Sequence, residues 1–227
     1  MPIQQMLLGA GGAVATKTYV DDVFSTFLYD GGTGDKTINN GIDMTEGGMF
    51  WSKQRSASTY GGIWDTERGV TKRLRPDSNI AEATASNLVK SFNNNGVTIS
   101  DDGGTQIYES GQTHASWTFR KAKGFFDVVT WSGNATSGRQ IPHNLGCVPG
   151  AIFTKRLNVS ENWLCYHKSM GNEKYIHLNL TNAMGDATYF NDNDPTSTYF
   201  TVNDAQQING AGYTYVAYLF AGGDSTA

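Results

Sequence analysis

The segment Gly48-Met49-Phe50-Trp51-Ser52-Lys53-Gln54-Arg55 returns about a hundred residues later as Gly150-Ala151-Ile152-Phe153-Thr154-Lys155-Arg156-Leu157. The correspondence extends outward on both sides: Tyr29 with Trp131, Gly31 with Gly133, Ile38 with Ile141, Trp64 with Tyr166, Gly69 with Gly171, Lys72 with Lys174 and Leu74 with Ile176. It continues through Val97-Thr98-Ile99 against Phe200-Thr201-Val202 and through Trp117-Thr118-Phe119 against Tyr218-Leu219-Phe220. The separation stays between 101 and 103 residues throughout, so the copies differ by little more than single-residue insertions. A chain constrained in this way is a tandem duplication, and each copy is expected to fold as one unit.

At 227 residues the chain accommodates two cores of about a hundred residues each, the size at which a single core sustains itself. Charged residues are only 17% of the chain and glycines number 27, and much of the remainder is Thr, Ser, Asn and aromatic. That balance belongs to β-proteins with many tight turns. The predicted fold is all-β: two tandem, pseudo-symmetric β-sandwich repeats of jelly-roll or lectin-like kind over residues 25–122 and 125–223, preceded by an extended N-terminal arm over 1–24. A net charge of -4 with scattered basic residues argues against nucleic acid as a partner. The short Lys72–Arg75 and Arg120–Lys123 runs read as solvated strand ends or linker. No apolar run approaches the roughly 18 residues needed to cross a bilayer, so membrane insertion is not expected. The opening residues lack a signal peptide's charged and apolar regions, so synthesis in a cytoplasm without processing is expected. Cys147 and Cys165 fit no metal spacing, and Cys165 stands opposite Ile63, which reads as a small buried hydrophobe.

The arm holds Ile3, Met6, Leu7 and Leu8, a glycine-rich hinge, and then Tyr19, Val20 and Phe24. Too short to form a core, it is expected to bury its apolar side against a partner chain. Its glycines before Lys17-Thr18 do not make a phosphate loop, since Thr16 stands where the glycine belongs and no strand precedes it. In the first copy, Met49-Phe50-Trp51 is apolar on successive residues and should be a central strand covered on both faces. Ala81 to Phe92 carries Leu88, Val89 and Phe92 at helical spacing, which suggests one short helix or a loop specific to this copy. Near the end of the copy, Ala115, Trp117 and Phe119 alternate with His114, Ser116, Thr118 and Arg120, the pattern of a half-exposed strand. The second copy replaces that polar face with Tyr215, Ala217 and Leu219, so Tyr215 and Leu219 are the predicted inter-repeat or inter-subunit face. The junction Lys121-Ala122-Lys123-Gly124 is too short for independent tumbling.

No nucleophile elbow or zinc motif is present, the paired acids Asp21-Asp22, Asp101-Asp102 and Asp192 with Asp194 lie in turn-like contexts, and neither cofactor nor metal is expected. His143, His167 and His177 lie in the second copy opposite Asn40, Asp65 and Arg75, and read as structural or solvated. Asp186, Asp192 and Asp194 lack a calcium-loop pattern. Binding is the better prospect, because aromatics flanked by Asn, Asp and Thr suit a sugar face. Trp163, Tyr166 and Trp64 are the candidate glycan-binding residues, against the alternative that they are core.

Phe126-Asp127-Val128-Val129-Thr130-Trp131-Ser132-Gly133-Asn134, His143-Asn144-Leu145-Gly146-Cys147-Val148-Pro149-Gly150, Lys155-Arg156 and Thr214-Tyr215-Val216-Ala217-Tyr218-Leu219-Phe220-Ala221 together resemble a domain of uncertain function. That domain recurs in structural proteins of marine phages, especially those infecting cyanobacteria. Ser91-Phe92-Asn93-Asn94-Asn95-Gly96 and Trp117-Thr118-Phe119-Arg120-Lys121-Ala122 look like the family's preceding repeat, and Gln4-Gln5-Met6-Leu7-Leu8-Gly9 like the start of such virion proteins. The resemblance implies a non-enzymatic virion structural protein made in the host cytoplasm, with other virion proteins as partners and a homo-oligomeric state such as a trimer. A tail or fibre component that touches host surface polysaccharide is the leading expectation. A capsid or neck decoration protein comes second, and a polysaccharide-degrading tailspike third.

Overall fold

The computed structural model describes residues 18–101 and 107–223. Of the predicted arm, Ile3, Met6, Leu7 and Leu8 lie outside the described residues. A single helical turn, Val20–Val23, leads into the first copy, whose strands are β1 (Phe24–Asp30), β2 (Asp35–Asn39), β3 (Gly48–Gln54), β4 (Gly61–Asp65), β5 (Lys72–Arg73), β6 (Ala83–Thr84), β7 (Val89–Asn93), β8 (Gly96–Ser100) and β9 (Thr113–Arg120). The second copy holds β10 (Phe126–Ser132), β11 (Arg139–Pro142), β12 (Pro149–Arg156), β13 (Leu164–His167), β14 (Lys174–Tyr175), β15 (Gly185–Asp186), β16 (Tyr199–Val202) and β17 (Thr214–Ala221).

The two halves repeat one topology. Repeat 1 has a main sheet β1-β9-β3-β4 faced by β2-β8-β7, and repeat 2 has β10-β17-β12-β13 faced by β11-β16. Registers agree residue by residue. Phe50 pairs with Trp64 as Ile152 pairs with Tyr166, Trp51 with Trp117 as Phe153 with Tyr218, and Ile38 with Val97 as Ile141 with Phe200. First and last strands of each half are neighbours in one sheet while the next pair inward, β2 with β8, meets in the other, the nested winding of a jelly-roll. Turning β4 back onto β3 within the same sheet departs from it.

One element belongs to a single copy. The segment with helical spacing around Leu88, Val89 and Phe92 is not a helix but the strands β6 and β7. Leu88 and Val89 are buried in the core of repeat 1, and β7 turns tightly onto β8 with Asn93 opposite Gly96. Gly96 sits at φ 111°, where a Cβ would lie 1.9 Å from the Ile38 carbonyl oxygen, so only glycine closes this hairpin. The hairpin's ladder decides against the helix, because it satisfies the backbone while burying the same apolar side chains.

Each main sheet is covered on both faces. The inner faces line the two separate cores, one around Phe50, Trp64, Ile38 and Val97, the other around Ile152, Tyr166, Phe200 and Tyr215. The outer faces meet each other: Met49, Ile63 and Leu74 from repeat 1 pack with Val128, Val216, Tyr218, Trp163 and Leu157 from repeat 2. Met49-Phe50-Trp51 therefore divides its side chains between seam and core, as a central strand must. Phe119 sits among Phe125, Phe126 and Phe220 at ring separations of 6.3, 5.5 and 5.6 Å. The seam corrects the expected face. Tyr215 and Leu219 point into repeat 2's own core, and their neighbours Val216, Tyr218 and Phe220 meet repeat 1. Alternation shows that a strand is covered twice but not which cover lies on which side. Phe24 is likewise not an arm residue, since it pairs with Phe119 in the first strand.

A buried polar network crosses the seam. Tyr218 Oη donates to Asp65 Oδ2 at 2.6 Å, Arg68 Nε donates to the same oxygen at 2.7 Å, and Arg68 Nη1 reaches Glu82 at 3.1 Å. Asp65 is fully buried and the Arg68 side chain is 3% exposed. Burial pushes the Tyr218 phenol well above its ordinary range, against the opposing pull of Arg68. At the junction, Lys121 bridges Glu67 of repeat 1 at 2.8 Å and Asp127 of repeat 2 at 3.1 Å, so this basic run is an anchor rather than a solvated linker. Removing one member of a buried pair strands the other. Asp65→Ala should cost about 3–5 kcal/mol, and Tyr218→Phe, which leaves Asp65 its guanidinium, only about 1–3 kcal/mol. Urea denaturation measures both; equal and negligible costs would show that the network contributes nothing to the seam.

Candidate functional site

The three predicted glycan-binding residues are buried. Trp64 and Trp163 are 0% exposed and Tyr166 is 3% exposed, so none offers a ring face to a ligand. Trp64 and Tyr166 occupy matching places in the two cores. Trp163 is a seam residue, stacked on Tyr218 at 6.1 Å, with its indole N–H donating to the Arg75 carbonyl at 2.8 Å. The core alternative therefore holds for Trp64 and Tyr166, each inside its own repeat, and the seam buries Trp163.

The accessible aromatic surface lies instead on the outer face of repeat 1. Trp51 on β3 and Trp117 on β9 are cross-strand partners, half-buried, with ring centroids 5.8 Å apart at 60°. Together with Lys53, Gly61, Pro76, Asp77 and Leu178 they line a groove of about 310 Å³ at the edge of the seam. Beside it, Arg75 lies over the Tyr60 ring at 3.1 Å and binds Asp77 at 3.3 Å, which fixes the loop that carries Pro76 and Asp77.

The second copy of this place is closed. Gly61 corresponds to Trp163, Trp51 to Phe153, Lys53 to Lys155 and Trp117 to Tyr218. The indole of Trp163 fills it, and the Arg75–Asn79 loop of repeat 1 covers it. Lys155 is 1% exposed there and its ammonium donates to the carbonyls of Asn79, Arg156 and Glu161 at 3.2, 3.0 and 2.7 Å. Burial pulls its pKa down to about 8, and the Glu161 carboxylate offsets part of that. In repeat 1, Lys53 keeps the matching bond to the Thr59 carbonyl. The sequence holds this signal, since a glycine opposite a tryptophan marks a hole.

A second difference lies inside repeat 1. The polar face of β9 points inward, not to solvent: His114, Ser116 and Thr118 are all fully buried. Thr118 accepts from Asn40 Nδ2 at 2.7 Å, and Tyr29 Oη bonds Ser52 Oγ and the Ile107 carbonyl, each at 2.7 Å. Among the described residues, however, neither ring nitrogen of His114 has a partner, nor do Gln54 Oε1 and Ser116 Oγ. His114 lies between Tyr29 and Gln54 in the sheet, stacked on Tyr29 at 5.1 Å. In repeat 2 the same row reads Trp131, Tyr215 and Arg156, and Tyr215 Oη is satisfied, donating to Gln206 O at 2.7 Å and accepting from Gly210 N at 2.9 Å.

The remaining candidates are dispersed. His167 is exposed, His177 Nδ1 meets the Trp163 carbonyl at 2.9 Å, and buried His143 meets the Thr196 carbonyl at 3.2 Å. Asp186 pairs with Lys174 and Asp194 with Asn172, and no group of three metal-ligating side chains occurs among the described residues. Cys147 and Cys165 are unpaired thiols, the latter buried and raised by burial to about 12. Tyr19 and Val20 are exposed, at 63% and 66%.

Burial lowers the His114 pKa, and the nearby Glu109 carbonyl and the Glu109 and Asp30 carboxylates offset it only in part. A histidine held below its ordinary value binds its proton more readily when the chain is unfolded. Stability is therefore retained above pH about 6.5 and falls as pH drops below it. His143 shifts the same way. His114→Phe should raise stability at pH 7 by about 1 kcal/mol or more by removing two orphaned polar atoms, and should flatten part of the acid slope in urea titrations at pH 7.5 and 5. An unchanged slope would mean that the ring is satisfied in solution.

No curated protein and no solved structure matches the chain. A family model described as a domain of unknown function, DUF7483, covers residues 20–224 and so spans both copies at once, and the chain belongs to that family.

Proposed function

We propose that the chain is a non-enzymatic structural protein of a phage particle, a tail or fibre component that docks through its N-terminal arm and displays the doubled β body outward for host-surface binding. The observation that carries the binding half of this reading is the Trp51–Trp117 groove, an accessible aromatic slot flanked by one cation and one anion. The resemblance of the strand and turn motifs to marine phage structural proteins supports the particle. A body whose halves are locked by a continuous seam suits a part that transmits load without hinging. Exposed Tyr19 and Val20, at the root of the arm, are in keeping with a partner surface there. The tailspike alternative is less favoured because glycoside hydrolysis uses two carboxylates and the groove is lined by one, Asp77. A decoration or adaptor protein on the capsid or neck remains the second reading.

Fractionating particles of the phage that encodes the chain tests this. The protein should co-purify with DNA-free tails, and a chain lacking residues 1–17, which leaves the described body whole, should fold yet fail to incorporate. Recovery with tailless heads would favour the decoration reading. Absence from both fractions would sink the proposal.

A further inference from the structure

The groove of repeat 1 is the space that an indole fills in repeat 2. A Cβ placed on Gly61 would stand 3.4 Å from Pro76 Cγ, from the Ser52 carbonyl and from Trp51 Nε1, so the position has room for a side chain and supplies none. One flat ring of indole size is therefore missing between Trp117 and the Pro76–Leu178 rim. The chemistry of the lining separates the candidates for that ring. The indole of Trp163 has one polar atom and satisfies one carbonyl, that of Arg75. The open groove presents the Trp51 indole N–H and the Lys53 ammonium as donors and the Asp77 carboxylate as an acceptor. An indole has no acceptor, a phenyl ring has neither kind of group and a tyrosine carries a single hydroxyl at one point of its edge, whereas the several hydroxyls of a pyranose donate and accept all round its rim.

We infer that the Trp51–Trp117 groove binds a neutral pyranose of a surface polysaccharide, seated in the volume that Trp163 occupies in the other repeat. The apolar C–H face of the sugar lies on the Trp117 ring, and its hydroxyls meet Trp51 Nε1, Lys53 and Asp77. Neutrality follows from the lining charges: one cation, Lys53, and one anion, Asp77, border the groove, and Arg75 already engages Asp77. This deepens the reading of the body as a displayed binding surface and supplies its ligand class.

The test uses the full chain, its five tryptophan indole N–H signals, and methyl glycosides of glucose, galactose and mannose as probes, with N-acetyl-tryptophanamide as the aromatic control. At least one glycoside should shift the Trp51 and Trp117 signals and leave that of Trp163 in place. Gly61→Trp, which gives repeat 1 the plug of repeat 2, should abolish the shifts with the fold intact. Trp117→Ala should weaken binding about tenfold or more, and Gly61→Ala should keep it. Shifts that persist in Gly61→Trp, silence towards every glycoside, or a response to N-acetyl-tryptophanamide alone would each overturn the inference, the last in favour of a partner's aromatic side chain. Glycoside binding by a protein absent from particles would refute the virion reading and leave this one standing; a particle protein blind to glycosides would do the reverse.

Discussion

Each half of the molecule has a main sheet with two apolar faces and a small second sheet that can cover only one of them. Everything else in the structure depends on that imbalance. The outer faces of β3, β4, β10 and β17 would expose Met49, Ile63, Val128, Val216 and Tyr218 if the halves parted, and they are buried only against each other. The four-residue junction makes the encounter unimolecular, and the hydrogen bond from Tyr218 to the buried Asp65–Arg68 pair penalises any other register, since a shifted seam would leave the phenol buried without its acceptor. A duplicated chain has here become one body.

What the copies do differently is as informative as what they share. Backbone register is kept along the shared ladders apart from a bulge between Pro149 and Ala151, and β7 adds a strand to repeat 1, so most of the divergence lies in side chains standing on matched positions. Gly61 against Trp163 opens a groove in one half and closes it in the other. His114, Ser116 and Gln54 against Tyr215, Ala217 and Arg156 leave unpartnered polar atoms on all three residues of the first row, where in the second Tyr215 is bonded and Arg156 Nε alone lacks a partner among the described residues. Both repeats contribute to the seam, and repeat 1 carries the open groove.

Topology was the most legible part of the sequence. The constant spacing of Tyr29 and Trp131, Trp64 and Tyr166, and Ile38 and Ile141 already implied two equivalent β units, and the matched ladders are its physical expression. Facing was less legible. A period of two separates the sides of β9 and β17 without saying which side is core, and the assumption that polar means outward placed His114 and Thr118 in solvent and Tyr215 and Leu219 on the seam. Local spacing also misled around Leu88 and Phe92, where a distant partner strand, β8, outweighed helical periodicity. The groove was legible only by comparing the copies, in the pairing of Gly61 with Trp163. Trp51 and Trp117 become a site only because the seam stops short of them and Gly61 leaves the space empty.

The central claim is that neither half is covered without the other, and scanning calorimetry of the intact chain tests it most directly. The account predicts a single transition whose calorimetric and van't Hoff enthalpies agree, since unmaking the seam exposes a face of both sheets at once. Two resolved transitions, or a calorimetric enthalpy near twice the van't Hoff value, would mean that the halves are independent domains that happen to touch.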